Sequence, residues 1–487
     1  MINEVRTRYA PSPTGYMHIG NLRSAIFEYL AARSKGGKFI LRIEDTDQAR
    51  LVEGATEVIY KTLETIGIVH DEGPDVGGAY GPYVQSERKD LYLPYALELV
   101  EKGHAYHCFC KKERLDSLRE EAMSEGKQFK YDRHCLALDK NEVQERIESG
   151  EEYVIRQLVP ETGTTTYHDE VFGDLVFDNS TLEDQILIKS DGFPTYNFAN
   201  VIDDHTMNIT HILRGSEYLS STPKFVHLYK AFGWDIPVFV HLPLVVKSDG
   251  SKISKRNGDA MFSDMIDQGY LPAAILNYTV LLGWSPGDER EFFTMAELEE
   301  AFDIKGISKS PSTLDYDKLK WMNGEYIRRM EIDEFTALAT PWITKGIADA
   351  DLDYRKIAMM IQKRTDLLGD IPGEIDFLTG IDTIDPELYN HTKMKCDPDA
   401  ALELLPVALA ALEGLDDWGH DPIYGILSEK AAELEIKNGR IMWPVRVALT
   451  ARPVTPGGAI EIAEILGKEE TLKRIKSAIS QLEAANG

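Results

Sequence analysis

Pro11-Ser12-Pro13-Thr14-Gly15-Tyr16-Met17-His18-Ile19-Gly20-Asn21 decides how the N-terminal region is read. Just before it, Val5-Arg6-Thr7-Arg8-Tyr9-Ala10 reads as a short strand. Two prolines and a glycine then break any regular element. Leu22, Ala25, Ile26, Tyr29 and Leu30 follow at helical spacing. Gly36-Gly37 closes that helix, and Phe39, Leu41 and Ile43 alternate as a second strand. The unit is strand–loop–helix–strand, best closed as a right-handed parallel crossover. Its helix begins near His18, so the first backbone N–H groups face the loop and favour phosphate. His18 adds a hydrogen-bond donor there, and Gly20 lets a flat base approach the backbone. The alternative is a capped surface helix carrying a chance histidine.

A second stretch lies far downstream: Val245-Val246-Lys247-Ser248-Asp249-Gly250-Ser251-Lys252-Ile253-Ser254-Lys255-Arg256-Asn257-Gly258. Its glycines and serines make it a loop. Lys247, Lys252, Lys255 and Arg256 fall within ten positions. A lysine on such a loop is a movable point charge for a triphosphate. A solvated basic turn is the alternative.

At 487 residues, two to four domains are expected, with room for a large core. Charged residues make up 28% and hydrophobic ones 43%, ordinary for a soluble globular chain. No apolar leader and no membrane-length run is visible, so cytoplasm is the expected compartment and no membrane partner is expected. Eighty-one acids against 53 bases give a formal charge of −28. That excludes a sequence-indifferent coat for RNA. It leaves room for a selective RNA enzyme with local basic patches, because net charge describes the whole body and not one face.

Four cysteines fit a reducing compartment. Cys396 stands alone and reads as a small core residue. Cys108, Cys110 and Cys135 cluster, in Tyr106-His107-Cys108-Phe109-Cys110 and Tyr131-Asp132-Arg133-His134-Cys135. Three thiolates suit a structural Zn²⁺, which takes four ligands. Tyr131 and His134 are the candidates for the fourth, His107 less so. Three unmetallated thiols are the alternative reading.

Residues 1–102 read as the first half of a Rossmann-like nucleotide fold. Residues 103–189 interrupt it with the cysteine cluster, a charged helix over 111–125 and strands such as 153–159. An insertion there sits at the ligand-binding end of an open sheet. The second half runs over 190–240, and the lysine loop and a stem-contact region over 241–330. Residues 331–487 read as helical, with Leu472, Ile475, Ile479 and Leu482 on one face of the last helix.

The motifs His18-Ile-Gly20-Asn21 and Lys252-Ile-Ser-Lys255-Arg256 resemble the two nucleotide signatures of class I aminoacyl-tRNA synthetases. With Arg8-Tyr-Ala-Pro-Ser-Pro-Thr-Gly, Arg42-Ile-Glu44-Asp45-Thr-Asp47, Gly81-Pro-Tyr-Val-Gln85-Ser86-Glu-Arg88 and Trp321-Met-Asn-Gly, the whole chain resembles bacterial-type glutamyl-tRNA synthetases. The resemblance implies an α/β class I catalytic domain with an inserted acceptor-binding subdomain, then an all-α anticodon-binding part. It implies a glutamate–tRNA ligase that is a monomer and uses ATP, Mg²⁺, L-glutamate and tRNA-Glu. A form that also charges tRNA-Gln, or a nucleotidyltransferase unrelated to tRNA, are the alternatives. Arg364 falls where the family reads the last anticodon base, and an arginine there favours strict use of tRNA-Glu.

Carried onto matching positions, the resemblance gives Arg8 and Arg214 the glutamate carboxylates. Guanidinium forks suit carboxylates bidentately. It gives Glu44 the ammonium, with Ala10, Ser12, Tyr196 and Asn200 as further contacts. His18, Gly20, Asn21 and Glu217 belong to the ATP cradle, with Lys252, Ser254, Lys255 and Arg256 on the phosphates. His18, Lys252 and Lys255 carry the catalytic charge. Ser216-Glu217-Tyr218 stands where the family often has two acids after Arg-Gly, and Glu217 is expected to keep its place. Ala137 stands where some relatives have a zinc-binding histidine; others use a tyrosine four places before the third cysteine, and Tyr131 fits. Family members activate glutamate only with tRNA bound, which is expected here too.

Overall fold

The computed structural model describes residues 4–15, 17–47, 50–127, 129–251, 253, 261–348 and 350–486. Two compact units emerge, one of Met1–Met265 with Ile275–Asp315, the other of Ile266–Ala274 with Tyr316–Gly487.

The first unit begins with the expected strand–loop–helix–strand: β1 (Arg6–Tyr9), α1 (Ile19–Arg33) and β2 (Lys38–Leu41). β1 and β2 are parallel, with Arg8 opposite Ile40. α2 (Ala55–Thr65) and α3 (Lys89–Glu101) follow. The stretch read as an insertion then supplies β3 (Ala105–Cys108), α4 (Lys112–Ser124), α5 (Lys140–Glu148), β4 (Val154–Gln157), β5 (Thr164–Asp169) and β6 (Gly173–Asp178). β4 lies between β3 and β7 (Ile186–Ile188) in a sheet made within this stretch. The stretch is not sealed off from its surroundings, because the β5–β6 hairpin extends the sheet of β8 (His211–Gly215) and β9 (Val238–Leu242). Between these come α6 (Tyr196–Thr206) and α7 (Thr222–Phe232).

The β8–β9 pair is parallel, which needs a crossover, and α7 provides it. β8 also lies alongside β1: the Thr210 N–H donates to the Arg6 carbonyl at 3.0 Å. Side-chain alternation along β5 turns Thr165, Tyr167 and Asp169 inward and leaves Thr164, Thr166 and His168 exposed. Asp169 is thus an acid on an inward position. α4 and α5 bury no residue at all, so their charge density is that of surface helices.

The second unit is built of helices, the longer ones being Tyr316–Arg329, Ile332–Ile347, Pro398–Glu413, His420–Glu433, Asn438–Thr450 and Ala459–Asn486. Phe335, Ala339, Ile343 and Ile347 recur every four residues and form one buried stripe. Cys396 is buried in the same core, as a lone apolar cysteine should be. The last helix is interrupted at Gly467, whose φ of 76° only glycine adopts readily. After that break Ile475 and Leu482 are buried, with Leu472 and Ile479 partly so. No helix among the described residues is long and apolar enough to cross a membrane.

Candidate active site

A cavity of about 290 Å³ opens where β1, the start of α1, α6 and β8 converge. β1 and the loop after it contribute Arg8, Ala10 and Ser12. The start of α1 contributes His18, Gly20 and Asn21, and further along the helix Ser24 and Glu28 extend the same face. α6 brings Tyr196, and β8 with the turn after it brings Arg214 and Glu217. Nine of the sequence-selected residues therefore share one cavity. Glu44 and Asn200 do not line it. They stand in the buried layer bonded to Arg8: Asn200 accepts from Arg8 Nη2 at 3.3 Å and donates to Glu44 Oε1 at 3.0 Å.

That layer is a network of charges. Asp204 Oδ1 accepts from Arg8 Nε at 2.9 Å and from Arg42 Nη1 at 2.8 Å. Arg42 Nη2 donates to Glu44 Oε1 at 3.0 Å. Asp203 accepts from Arg88 Nε at 2.7 Å, from Gln85 at 2.9 Å and from Tyr92 at 3.0 Å. All these side chains are buried. Tyr196, Asn200, Asp203 and Asp204 fall on one face of α6 because positions four and seven or eight apart stack. Glu28, Asp203, Asp204, Arg23 and His241 were not selected from the sequence. The available signal was a charge inside an apolar helical run, such as Glu28 between Phe27 and Tyr29.

The two arginines differ. Burial opposes the charge of Arg8, but Asp204 and Glu28 more than offset it and hold its pKa above the usual value. Arg214 is equally enclosed, yet no carboxylate among the described residues lies within 4.0 Å of it. Burial pulls its pKa down, with Tyr196 the main group opposing. Its guanidinium lies over the rings of Phe225 at 4.5 Å and Tyr218 at 5.1 Å. It lines the cavity as a cation awaiting a counter-charge.

Glu44 shows the converse. Its Oε1 is crowded by Arg42, Asn200 and Gln85, while its Oε2 is buried and has no partner. Burial pushes its pKa up to about 7, against Arg42 and Arg8.

His18 corrects one expectation. The helix start is not open: His18 is the N-cap, and its Nδ1 accepts from the Gly20 and Asn21 N–H groups at 3.1 and 3.4 Å. That assigns the ring proton to Nε2. Gly20 is small for the same reason, since a Cβ there would meet the His18 ring at 3.0 Å. Glu217 likewise folds back over Gly215, where any Cβ would collide with its carboxylate. On the lysine loop, the Lys247 N–H donates to the Ser251 carbonyl and closes a turn through Gly250. Ile253 reaches the cavity, while Lys252, Ser254, Lys255 and Arg256 lie outside the described residues.

The sulfur atoms of Cys108, Cys110 and Cys135 lie within 4.8 Å of one another. Tyr131 Oη is 3.2 Å from both Cys108 Sγ and Cys110 Sγ. A hydrogen bond from Cys135 is the main cause that holds the Cys108 thiol low, at about 4. His134 is exposed and does not join the sulfurs, and no histidine or carboxylate among the described residues completes the group. Three thiols and one phenol spaced this closely fit a tetrahedral metal.

Residues 4–321 match the catalytic domain of class I tRNA synthetases (E and Q), and residues 334–479 match an anticodon binding domain. A glutamate–tRNA ligase of Clostridium botulinum strain Hall is 54% identical over 484 residues, 99% of this chain and 100% of its own. One from Clostridium tetani is 55% identical over 480 residues, 99% of this chain and 98% of its own. The crystal structure of a glutamate tRNA ligase from Elizabethkingia meningosepticum in complex with its amino acid superposes with a TM-score of 0.91. It is 34% identical and covers 98% of this chain and 100% of that one. The chain belongs to the glutamate–tRNA ligase family of class I aminoacyl-tRNA synthetases.

Asp204 holds two buried guanidiniums with one oxygen, so removing its charge is expensive. Asp204→Asn is expected to destabilise the first unit by roughly 3–5 kcal/mol, the usual cost of stripping one partner from a buried pair. Denaturant unfolding of the variant against the parent chain measures it; a loss below 1 kcal/mol would show the pair to be solvated.

Proposed function

We propose that this chain activates L-glutamate with ATP and transfers it through glutamyl-adenylate to the 3′ end of tRNA-Glu. The observation that carries the reading is Arg214: a buried guanidinium on a cavity wall, with no carboxylate partner among the described residues. Glutamate supplies the missing anion with a side chain the fork can grip. The orphaned Glu44 Oε2 supports the ammonium contact from the opposite sign. Ala10, Ser12 and Tyr196 line the rest of that half, with Asn200 behind them, bonded to Arg8 and Glu44. Arg8 adds donors but little field, because Asp204 already compensates it.

On the nucleotide half we assign His18, Gly20, Asn21 and Glu217, joined by Lys252, Ser254, Lys255 and Arg256. The glutamate α-carboxylate attacks the α-phosphorus. The new carboxyl–phosphate bond forms as the bond to pyrophosphate breaks. No protein base is needed, since the carboxylate is already a nucleophile. Mg²⁺ offsets charge on the phosphates when bound. The His18 Nε2–H and the loop cations aim positive charge at the leaving oxygens. A terminal ribose hydroxyl of tRNA then attacks the adenylate carbonyl and AMP leaves. The helical domain serves anticodon recognition; Arg364, there tied to the Thr455 carbonyl at 2.8 Å, is assigned to it. We read the protein as a cytoplasmic monomer; cysteines without disulfides support the reducing compartment.

Aminoacylation of purified tRNA-Glu and tRNA-Gln with each amino acid tests this directly. Glutamate on tRNA-Glu, and little on tRNA-Gln, is the expected result. Equal charging of both tRNAs would make the enzyme non-discriminating, and no charging of either would overturn the assignment.

Cys108, Cys110, Cys135 and Tyr131 would hold one structural Zn²⁺. Elemental analysis after chelator-free purification is expected to give about one zinc per chain. Tyr131→Phe is expected to lose the metal faster to a chelator; unchanged retention would remove Tyr131 from the ligand set.

Glu44 also makes glutamate binding depend on pH. Its raised pKa means that its neutral form stabilises the fold below the unfolded value of 4.5, and that this stability is lost as pH rises through about 7. An ammonium beside it favours the ionised form and reverses the shift. Glutamate affinity should therefore rise with pH up to about 7 and fall by up to roughly tenfold per unit below it. Glu44→Gln should bind weakly with the slope gone. Calorimetry from pH 6 to 8 decides, and a flat profile in the parent chain would sink the ammonium contact.

A further inference from the structure

Arg8 is oriented at Nε by a carboxylate; Arg214 is oriented at Nε by a neutral ring. The sheet register builds the second arrangement. Arg214 on β8 lies directly opposite His241 on β9. His241 is fully buried, and its Nε2 is 3.3 Å from Arg214 Nε and 3.1 Å from Thr222 Oγ1. On its other side Nδ1 is 2.6 Å from Asp169 Oδ2. A carboxylate only accepts and a guanidinium only donates. The ring must then carry its proton on Nδ1 and turn the Nε2 lone pair to Arg214. A doubly protonated ring would set donor against donor and cation beside cation.

Asp169 is itself held rigidly. Its Oδ1 accepts from the Val171 and Phe172 N–H groups at 3.0 and 2.9 Å, and its Oδ2 also takes the His241 N–H at 3.0 Å. Four donors spread its charge, and none of them is the guanidinium. Arg214 Nη2 donates to Thr222 Oγ1 at 2.9 Å. Two of the three guanidinium nitrogens are thus fixed, and Nη1 makes no hydrogen bond to a described residue.

We propose that Asp169 and His241 form a positioning relay for glutamate selection, fixing the plane of Arg214 through Nε while leaving its charge uncompensated. A carboxylate in place of His241 would hold the fork equally well. It would also neutralise the fork, as Asp204 neutralises Arg8. With a neutral acceptor the counter-charge has to come from the bound amino acid. An anionic side chain meets that demand, whereas the equally shaped amide of glutamine leaves the buried cation unpaired. The inference rests on the reading of Arg214 as a carboxylate contact.

The test uses the full chain with tRNA present and measures KM for glutamate, ATP and tRNA, plus the preference for glutamate over glutamine. Asp169→Asn leaves one oxygen for four N–H donors; with that oxygen kept on the Val171 and Phe172 N–H groups, its amide N–H faces His241 and turns the ring to the wrong tautomer. It should raise the glutamate KM by roughly 10- to 100-fold, the range for one lost hydrogen bond to a charged group, and narrow the preference. KM for ATP and tRNA should stay within about threefold. His241→Gln, whose amide oxygen can accept from Arg214 Nε, should recover most of what His241→Leu loses. If His241→Leu does not fold, Asp169→Asn and His241→Gln carry the comparison. Wild-type glutamate KM and preference in Asp169→Asn would overturn the relay. So would a loss spread evenly over all three substrates with His241→Gln no better than His241→Leu, which marks a purely structural role. Arg214→Ala, run alongside, separates the two ideas. A normal glutamate KM in that variant refutes the Arg214 reading itself. A raised one, with Asp169→Asn at wild-type values, refutes the relay alone.

Discussion

One oxygen atom organises the catalytic unit. Asp204 Oδ1 receives both Arg8 from β1 and Arg42 from just beyond β2. Through Arg42 the network runs on to Glu44, and through Gln85, Arg88 and Tyr92 to the neighbouring Asp203. Charges taken out of water persist only when geometry and hydrogen bonding are both satisfied. The network therefore dictates the separation of β1 and α6 more strictly than an apolar contact would. It also sets the cavity wall, because Tyr196 and Asn200 ride on the helix that carries Asp203 and Asp204.

Compensation is uneven within that unit, and the unevenness is where ligands belong. Arg8 and Arg42 have their counter-charges. Arg214 has a neutral ring and three aromatic faces instead, and Glu44 keeps one bare oxygen. An uncompensated cation and an uncompensated acceptor in one buried region match a zwitterion carrying an extra carboxylate. Burial depresses the pKa of Arg214 and raises that of Glu44, so both charged forms are disfavoured where they stand.

The formal charge of −28 is consistent with this layout. The positive groups that line the cavity are few and placed. A strongly acidic body repels RNA in general, so productive contact depends on the local sites.

The β1–α1–β2 unit, the charged helix of residues 112–124 and the helical C-terminal region were all readable along the chain, because hydrophobic period and Gly/Pro breaks are local signals. His18 and the three clustered cysteines stand out in short motifs of distinctive composition, while Arg8, Tyr196 and Arg214 were singled out by the family resemblance. What the chain could not disclose is partnership. That Arg8 is paired while Arg214 is not depends on Asp204 and His241, separated from them by 196 and 27 positions. That His18 spends its Nδ1 on its own helix depends on a rotamer. That Tyr131, not His134, meets the sulfurs depends on a turn through Arg133, whose φ is 58°. Sequence determined which groups this protein owns and which local elements carry them. Tertiary structure alone decided which charges cancel, because Coulomb energy in a buried site depends on distances of a few ångströms that no linear spacing encodes.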